Sequence, residues 1–221
     1  MVTTPFAFVS YFADLPREDL AVVEGSALRR IFQPDQMVLM EGDPAGGLYV
    51  VESGWLKAVK MSANGREQVL NFLGPNEVFN AVAVFAGTPN QASVITLEES
   101  VVWWIDRETM QRLLDTHPKL AQAVIRDLAG RLQHLVGLVE DLSLRSVESR
   151  LARTLVEGAA KAAVTRRKWA TQTEMAARLG TVPDVLNRAL RKLVEEGLIE
   201  VSRHQIRILD LDALRQKANA D

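Results

Sequence analysis

Within residues 183–192, Asp184, Asn187, Arg188 and Arg191 fall at intervals of three and four, the spacing at which side chains share one face of a helix. Their types match the edges of base pairs. A guanidinium bonds guanine O6 and N7 together, a carboxamide does the same with adenine N6 and N7, and a carboxylate accepts from cytosine N4. Pro183, at the head of the same stretch, brings no donor. Further on, Arg203, His204 and Arg207 surround a short turn between two apolar runs, where positive or polar groups would meet phosphate and carry no base information. His204 serves equally well as a conformational residue, because histidine is enriched at positive φ and this turn lacks a glycine. For the first cluster, the plain alternative is the watered face of an ordinary two-helix corner.

Other chemistries find fewer residues. The 221 positions include no cysteine, which excludes a disulfide framework, a thiolate zinc site, a cysteine-held iron–sulfur cluster and a thiol nucleophile. His117, His134 and His204 are the three imidazoles, and none falls in 37–105, so a metal-dependent enzyme built on that segment lacks ligands. Neither a metal site nor an enzymatic activity is expected. A haem could draw on those histidines or on Met and Tyr, and composition does not exclude it. The net charge of −2 divides unevenly: residues 1–165 hold 15 basic against 20 acidic side chains, residues 166–221 hold 11 against 8. A small basic block on an acidic body suits one module that meets phosphate and another that does not.

Two short helices meeting at a glycine would position the base-reading face. Thr171 caps the first, with Glu174 three residues on closing a capping box, and Gly180 takes the left-handed conformation that ends it. The arrangement repeats from Thr181 to Asp184, with Pro183 in the first turn of the second helix, where its missing N–H breaks no intrahelical bond. Val182, Val185, Leu186, Ala189, Leu190 and Leu193 form the packed side. Thr171, Gln172 and Thr181, at the helix ends, join the set expected to touch DNA. Residues 196–208 follow as two short strands around a tight turn, a wing.

Upstream, apolar residues between 37 and 105 come in short runs punctuated by turn signals at 41–44, 53–54, 63–65, 74–76 and 87–89. That spacing is close to the about 8 to 12 residues of a sandwich or barrel. An antiparallel β-roll is expected, with Asn64-Gly65 as a two-residue hairpin turn. Helices flank it at 16–29 and 107–116. After Pro118, the residues Ala121, Ile125, Leu128, Leu132, Leu135, Val139 and Leu142 alternate steps of four and three, with His134 off the stripe. So narrow a seam is what two chains winding together require, burial within the same chain being the alternative. A further helix over 144–163 and the basic stretch Thr165-Arg166-Arg167-Lys168 come next. The expected plan is α+β: a β-roll sensor domain over 1–117, a dimerisation helix over 118–143 and a winged helix-turn-helix over 144–221. The first residues do not read as a secretory signal, and the uncharged run 78–97 is interrupted by Gly87 and Pro89, so no membrane segment is expected and the cytoplasm is the simplest compartment.

These parts in this order resemble the cyclic-AMP receptor protein and fumarate-nitrate-reduction regulator (CRP/FNR) superfamily of bacterial transcription factors, over roughly residues 12–214. In the roll the resemblance is carried by Glu41-Gly42-Asp43, Tyr49, Gly54, Gly65 and Leu73-Gly74-Pro75-Asn76-Glu77-Val78-Phe79. In the C-terminal domain it is carried by Glu174-Met175-Ala176-Ala177-Arg178-Leu179-Gly180, Arg188-Ala189-Leu190 and Leu193-Val194-Glu195-Glu196-Gly197-Leu198-Ile199. It implies a cyclic-nucleotide-binding-like jelly roll, a homodimer, double-stranded DNA as partner and RNA polymerase as a second one.

Two departures sharpen the expectation. Where cyclic-nucleotide members of the family carry Gly-Glu and then Arg-Ser or Arg-Thr, this chain has Asn80-Ala81 and Asn90-Gln91, and residues 78–97 hold no charged side chain. A buried cyclic phosphate needs a cation or converging N–H donors, so an effector other than cyclic AMP, or none, is expected. The cysteines that hold a cluster in the oxygen-sensing branch are missing as well. A haem- or gas-responsive member of the same family, or a roll that acts on a protein partner, are the alternatives. Trp55, Trp103 and Trp104 are expected in the core. In the second helix, the family often has Arg-Glu, two residues, then Ser-Arg or Gly-Arg, against Pro183-Asp184-Val185-Leu186-Asn187-Arg188 here, which implies an altered half-site. In a two-fold dimer the half-sites would lie ~34 Å apart.

Overall fold

The short apolar runs of the N-terminal half form strands, seen in a computed structural model that describes residues 5–63, 65, 67–160, 171–202 and 205–219. A 3-10 turn at Pro5–Phe8 precedes α1 (Arg17–Ser26), β1 (Leu28–Phe32), β2 (Met37–Leu39), β3 (Gly47–Ser53), β4 (Leu56–Met61), β5 (Glu67–Leu73) and β6 (Val78–Phe79). Then come α2 (Ala81–Ala86), β7 (Ser93–Thr96), β8 (Ser100–Asp106), α3 (Arg107–Thr116), α4 (Pro118–Leu144) and α5 (Val147–Ala160). The last elements are α6 (Gln172–Arg178), α7 (Pro183–Glu195), β9 (Ile199–Val201), β10 (Ile206–Ile208) and α8 (Leu211–Asn219). Asn64, Arg203, His204, the stretch Thr165-Arg166-Arg167-Lys168 and the expected run of helix to residue 163 lie outside the described residues.

Two four-stranded antiparallel sheets, ordered β1-β8-β3-β6 and β2-β7-β4-β5, make the roll. Strand β3 explains how they pack. Tyr49 and Val51 point to the core between the sheets, with Leu39, Leu56, Leu73, Phe79, Val94 and Val102. Leu48 and Val50 point the other way, to a second core built with Val23, Met110, Leu120 and Val124 of the helices. A strand covered on both faces reads as a continuous apolar run rather than an alternation. Trp104 packs on the first core and Trp103 on the second, the structural role expected of them.

The N-terminal helix is shorter than expected: α1 stops at Ser26, and Leu28 and Arg29 instead begin β1 at a sheet edge. All of β1 but Phe32 is exposed, Arg29 pairing with Glu52 at 2.8 Å and Arg30 lying over the Trp104 ring, so it lacks the apolar alternation that marks a strand. The run 78–97 also holds a helix, α2, that its wholly apolar sequence did not reveal. Leu144 closes α4, and the next helix begins at Val147.

The chain divides into two compact units, Met1–Lys60 with Leu70–His134 and Met61–Val69 with Leu135–Asp221. The core of the second gathers Leu151 and Ala152 of α5, Ala176 and Leu179 around the end of α6, Leu186, Ala189, Leu190 and Leu193 of α7, and Leu214 of α8. Among the described residues no helix is long and apolar enough to cross a membrane.

Candidate nucleic-acid interface

Thr171 caps α6, its hydroxyl accepting from the Glu174 N–H at 3.2 Å. The other end is closed by a paired backbone motif. Thr181 N–H donates to Ala176 O at 2.9 Å and Gly180 N–H to Ala177 O at 3.2 Å, which requires the left-handed φ of +63° found at Gly180. Through its backbone, Thr181 thus helps to end α6. Contrary to the expectation, it does not cap α7: Val182 holds that position with no side-chain bond, and at 46% exposure Val182 is not part of the packed side either. Pro183 is the first residue of α7.

Burial of Leu186, Ala189, Leu190 and Leu193 fixes the rotation of α7 about its axis. Asp184, Arg188 and Arg191 are left exposed and Asn187 half-buried. Thr171, Gln172 and Pro183 are exposed, and Thr181 is half-buried. Between the first turn of α6, Leu190 and the wing residues Val201, Ser202 and Ile206 lies a hollow of about 550 Å³.

Charge pairing separates the cations of this unit. Lys192 meets Glu148 at 2.7 Å, Lys217 meets Glu196 at 2.7 Å, Arg215 meets Asp212 at 3.1 Å, Arg145 meets Glu140 at 3.0 Å and Arg153 meets Asp141 at 2.9 Å. On the wing, Arg207 stands directly across from Glu200 in the β9–β10 register and donates to it from Nε at 2.8 Å. Arg207 is thus paired within the wing, and a phosphate would have to compete with Glu200 for it. The side chains of Asp184, Asn187, Arg188 and Arg191 have no hydrogen-bond or ion-pair partner among the described residues.

The seam of α4 divides by position. Leu128 packs on its own roll beside the buried Leu120 and Val124, and Ala121 is half-buried. Ile125, Leu132, Leu135, Val139 and Leu142 are between 38% and 65% exposed. So many apolar side chains at helical spacing are a surface that burial would favour, at about 1.5–3 kcal/mol for each fully covered side chain.

In the roll, the four cassette residues are buried or hydrogen-bonded to the roll itself. Asn80, at a left-handed φ of 67°, donates its amide to Gly47 O at 3.0 Å, and Ala81 is buried as the first residue of α2. Asn90 is 4% exposed and stitches loop 40–43: Nδ2 donates to Met40 O at 3.1 Å, its N–H to Asp43 O at 2.8 Å, and its carbonyl accepts from Gly42 N–H at 2.9 Å. Gln91 is exposed and folds onto Thr88 and Pro89. With these amides engaged and no cation in the span, the cassette does not fit the cyclic phosphate that such a fold otherwise implies. The sequence reading missed two arginines from outside the span. Arg107 lies so close to Gly87 that a β-carbon there would stand 2.9 Å from Nη2. Arg131 of α4 donates to Val78 O. His117 is engaged by Asp19 at 2.7 Å, and His134 Nε2 lies 3.1 Å from Leu70 O.

The family model of the cyclic nucleotide-binding domain matches residues 29–117, and that of the Crp-like helix-turn-helix domain matches residues 149–217. The chain is 27% identical over 204 residues to the CRP-like cAMP-activated global transcriptional regulator of Mycobacterium tuberculosis, covering 87% of this chain and 91% of that protein. It is 25% identical over 211 residues to the cyclic AMP receptor protein of Thermus thermophilus, covering 94% and 95%. Among solved structures, FixK2 from Bradyrhizobium japonicum superposes with a TM-score of 0.77 at 21% identity, over 88% of this chain and 98% of its own. A CooA variant from Carboxydothermus hydrogenoformans gives 0.79 at 16% identity, over 99% and 97%. With both domains matched in order and relatives aligned along most of their length, the chain belongs to the CRP/FNR family of transcriptional regulators, with a helix-turn-helix DNA-binding domain.

Proposed function

We propose that this protein is a homodimeric, sequence-specific regulator in which Asp184, Asn187, Arg188 and Arg191 of α7 read the major groove of two half-sites. The observation that carries this reading is the contrast in pairing: six cations of the same unit hold carboxylates, while the polar stripe of α7 has no partner among the described residues. Burying the packed side of a helix and leaving bonding capacity unspent on the other suits a surface that meets another hydrogen-bonding molecule. The exposed part of the α4 seam supports a two-fold dimer, which brings two such stripes to one DNA face. Thr171, Gln172, Thr181 and Pro183, at the ends of α6 and α7, and Arg203, His204 and Arg207, in the sequence of the wing, would meet backbone more than bases. The effector is not cyclic AMP, or there is none. RNA polymerase is the second partner that regulation at a promoter implies, and the cytoplasm is where both are met.

Selection from a randomised duplex pool tests the reading. A near-palindromic site should emerge, and its affinity should fall steeply with salt as counterions are released. Failure to retain any duplex at low salt would overturn it.

A further inference from the structure

We propose that Arg131 is the positioning residue that sets the dimer helix on its roll, in place of a ligand. The proposal rests on the function above, because it concerns how two reading helices are held at one spacing. Val78 and Phe79 form β6 and lead directly into the left-handed Asn80 and helix α2. Arg131, from α4, donates Nη2 to Val78 O on that strand. One turn back on α4, Asp127 fixes the guanidinium, with Nε to Oδ2 at 2.6 Å. Asp127 also accepts the Tyr11 hydroxyl at 2.6 Å, and Tyr11 is 1% exposed. Three segments far apart in sequence thus meet in one hydrogen-bonded chain. Burial, and then the bond to Asp127, push the Tyr11 hydroxyl far above its usual range, so it remains a donor.

Leu120, Val124 and Leu128 already attach α4 to the roll and fix which face it presents, but apolar attraction is non-directional and tolerates small shifts of the helix more readily than a hydrogen bond does. The bond from Arg131 has direction, and breaking it would strand a partly buried carbonyl. The strand it grips is itself braced, since β6 pairs with β3 and Asn80, next after it, is tied to Gly47. A ligand switches a protein only through different affinity for two arrangements. Here side chains of the chain itself favour one arrangement, and no nucleotide is needed to set it.

The test uses the full-length protein and the duplex it selects. Affinities of Arg131→Ala, Arg131→Lys and Tyr11→Phe are measured on the complete two-half-site duplex and on a duplex carrying one half-site. Both Arg131 variants should lose about tenfold or more on the complete site and little on the half-site, a typical size for coupling between distant parts. Lysine should not rescue, because an ammonium lacks the fork that holds Asp127 and Val78 O together. Tyr11→Phe, which removes one donor, should fall between. Millimolar cyclic AMP or cyclic GMP should leave wild-type affinity unchanged. Equal losses on both duplexes, no loss on the complete site, or a tenfold gain with either nucleotide would overturn the proposal. A wild type that selects no palindromic duplex overturns the functional reading as well, whereas normal selection with unaffected variants overturns this inference alone.

Discussion

Arg188 and Arg207 are exposed arginines of the same unit, and their neighbours give them different work. Arg188 has no partner among the described residues and stands one turn after Asp184 on α7. Its removal should relax base preference at one position per half-site and cost about 1–3 kcal/mol there, read by binding to a panel of single-base variants. Equal weakening on every sequence would assign Arg188 to phosphate instead. Arg207 is held across the wing by Glu200, but with the two side chains 63% and 57% exposed the pair is weak and phosphate can compete for the cation. Glu200→Gln should therefore raise affinity for any duplex without changing sequence preference, and add about one ion to the salt slope. An unchanged slope would show that Arg207 stays clear of DNA. The exposed polar stripe of α7 was legible because a 3.6-residue period sorts its residues by position alone. The Arg207–Glu200 pair was not, because residues seven apart become opposite only once the turn fixes the register of β9 on β10.

At the scale of elements, legibility followed periodicity. The α4 seam showed itself as alternating steps of four and three, and α6 and α7 showed themselves through Thr171, Gly180 and Pro183, each tied to a backbone position. Helix α2 has six residues, all apolar, and so no period to find. Strand β1 lies at an edge with its residues in water, and Thr181 looked like a cap because the sequence does not say at which residue α7 begins. The seam yields a prediction with two separable readouts. Leu135 is 43% exposed in the single chain, so Leu135→Glu costs the isolated fold little but would bury a charge if two copies pair along α4. Sedimentation should show dissociation at concentrations where the wild type is dimeric, with little change in thermal stability. A destabilised chain of unaltered mass would mean that the helix packs internally.

If two copies pair along α4 as proposed, the decisive quantity for the whole molecule is the distance between their α7 helices, which a two-fold dimer fixes and independent domains do not. The unequal charge of the two parts, 15 basic against 20 acidic side chains over 1–165 and 11 against 8 over 166–221, favours approach of the C-terminal end to DNA, but at net +3 such steering alone cannot hold a regulator on one site. On the proposed reading, holding it requires both α7 helices to engage at once, and B-DNA offers equivalent major-groove faces at whole helical turns, the nearest ~34 Å away. Inserting about five base pairs between the half-sites turns one of them to the opposite side of the duplex, so affinity should drop to that of a single half-site. Inserting about ten restores the face but doubles the separation, and a dimer clamped along α4 should not follow, leaving affinity low in a gel-shift titration. Flexibly tethered domains would recover with the full turn. Full recovery would therefore argue that α4 does not set the spacing, even if each α7 reads its half-site as described.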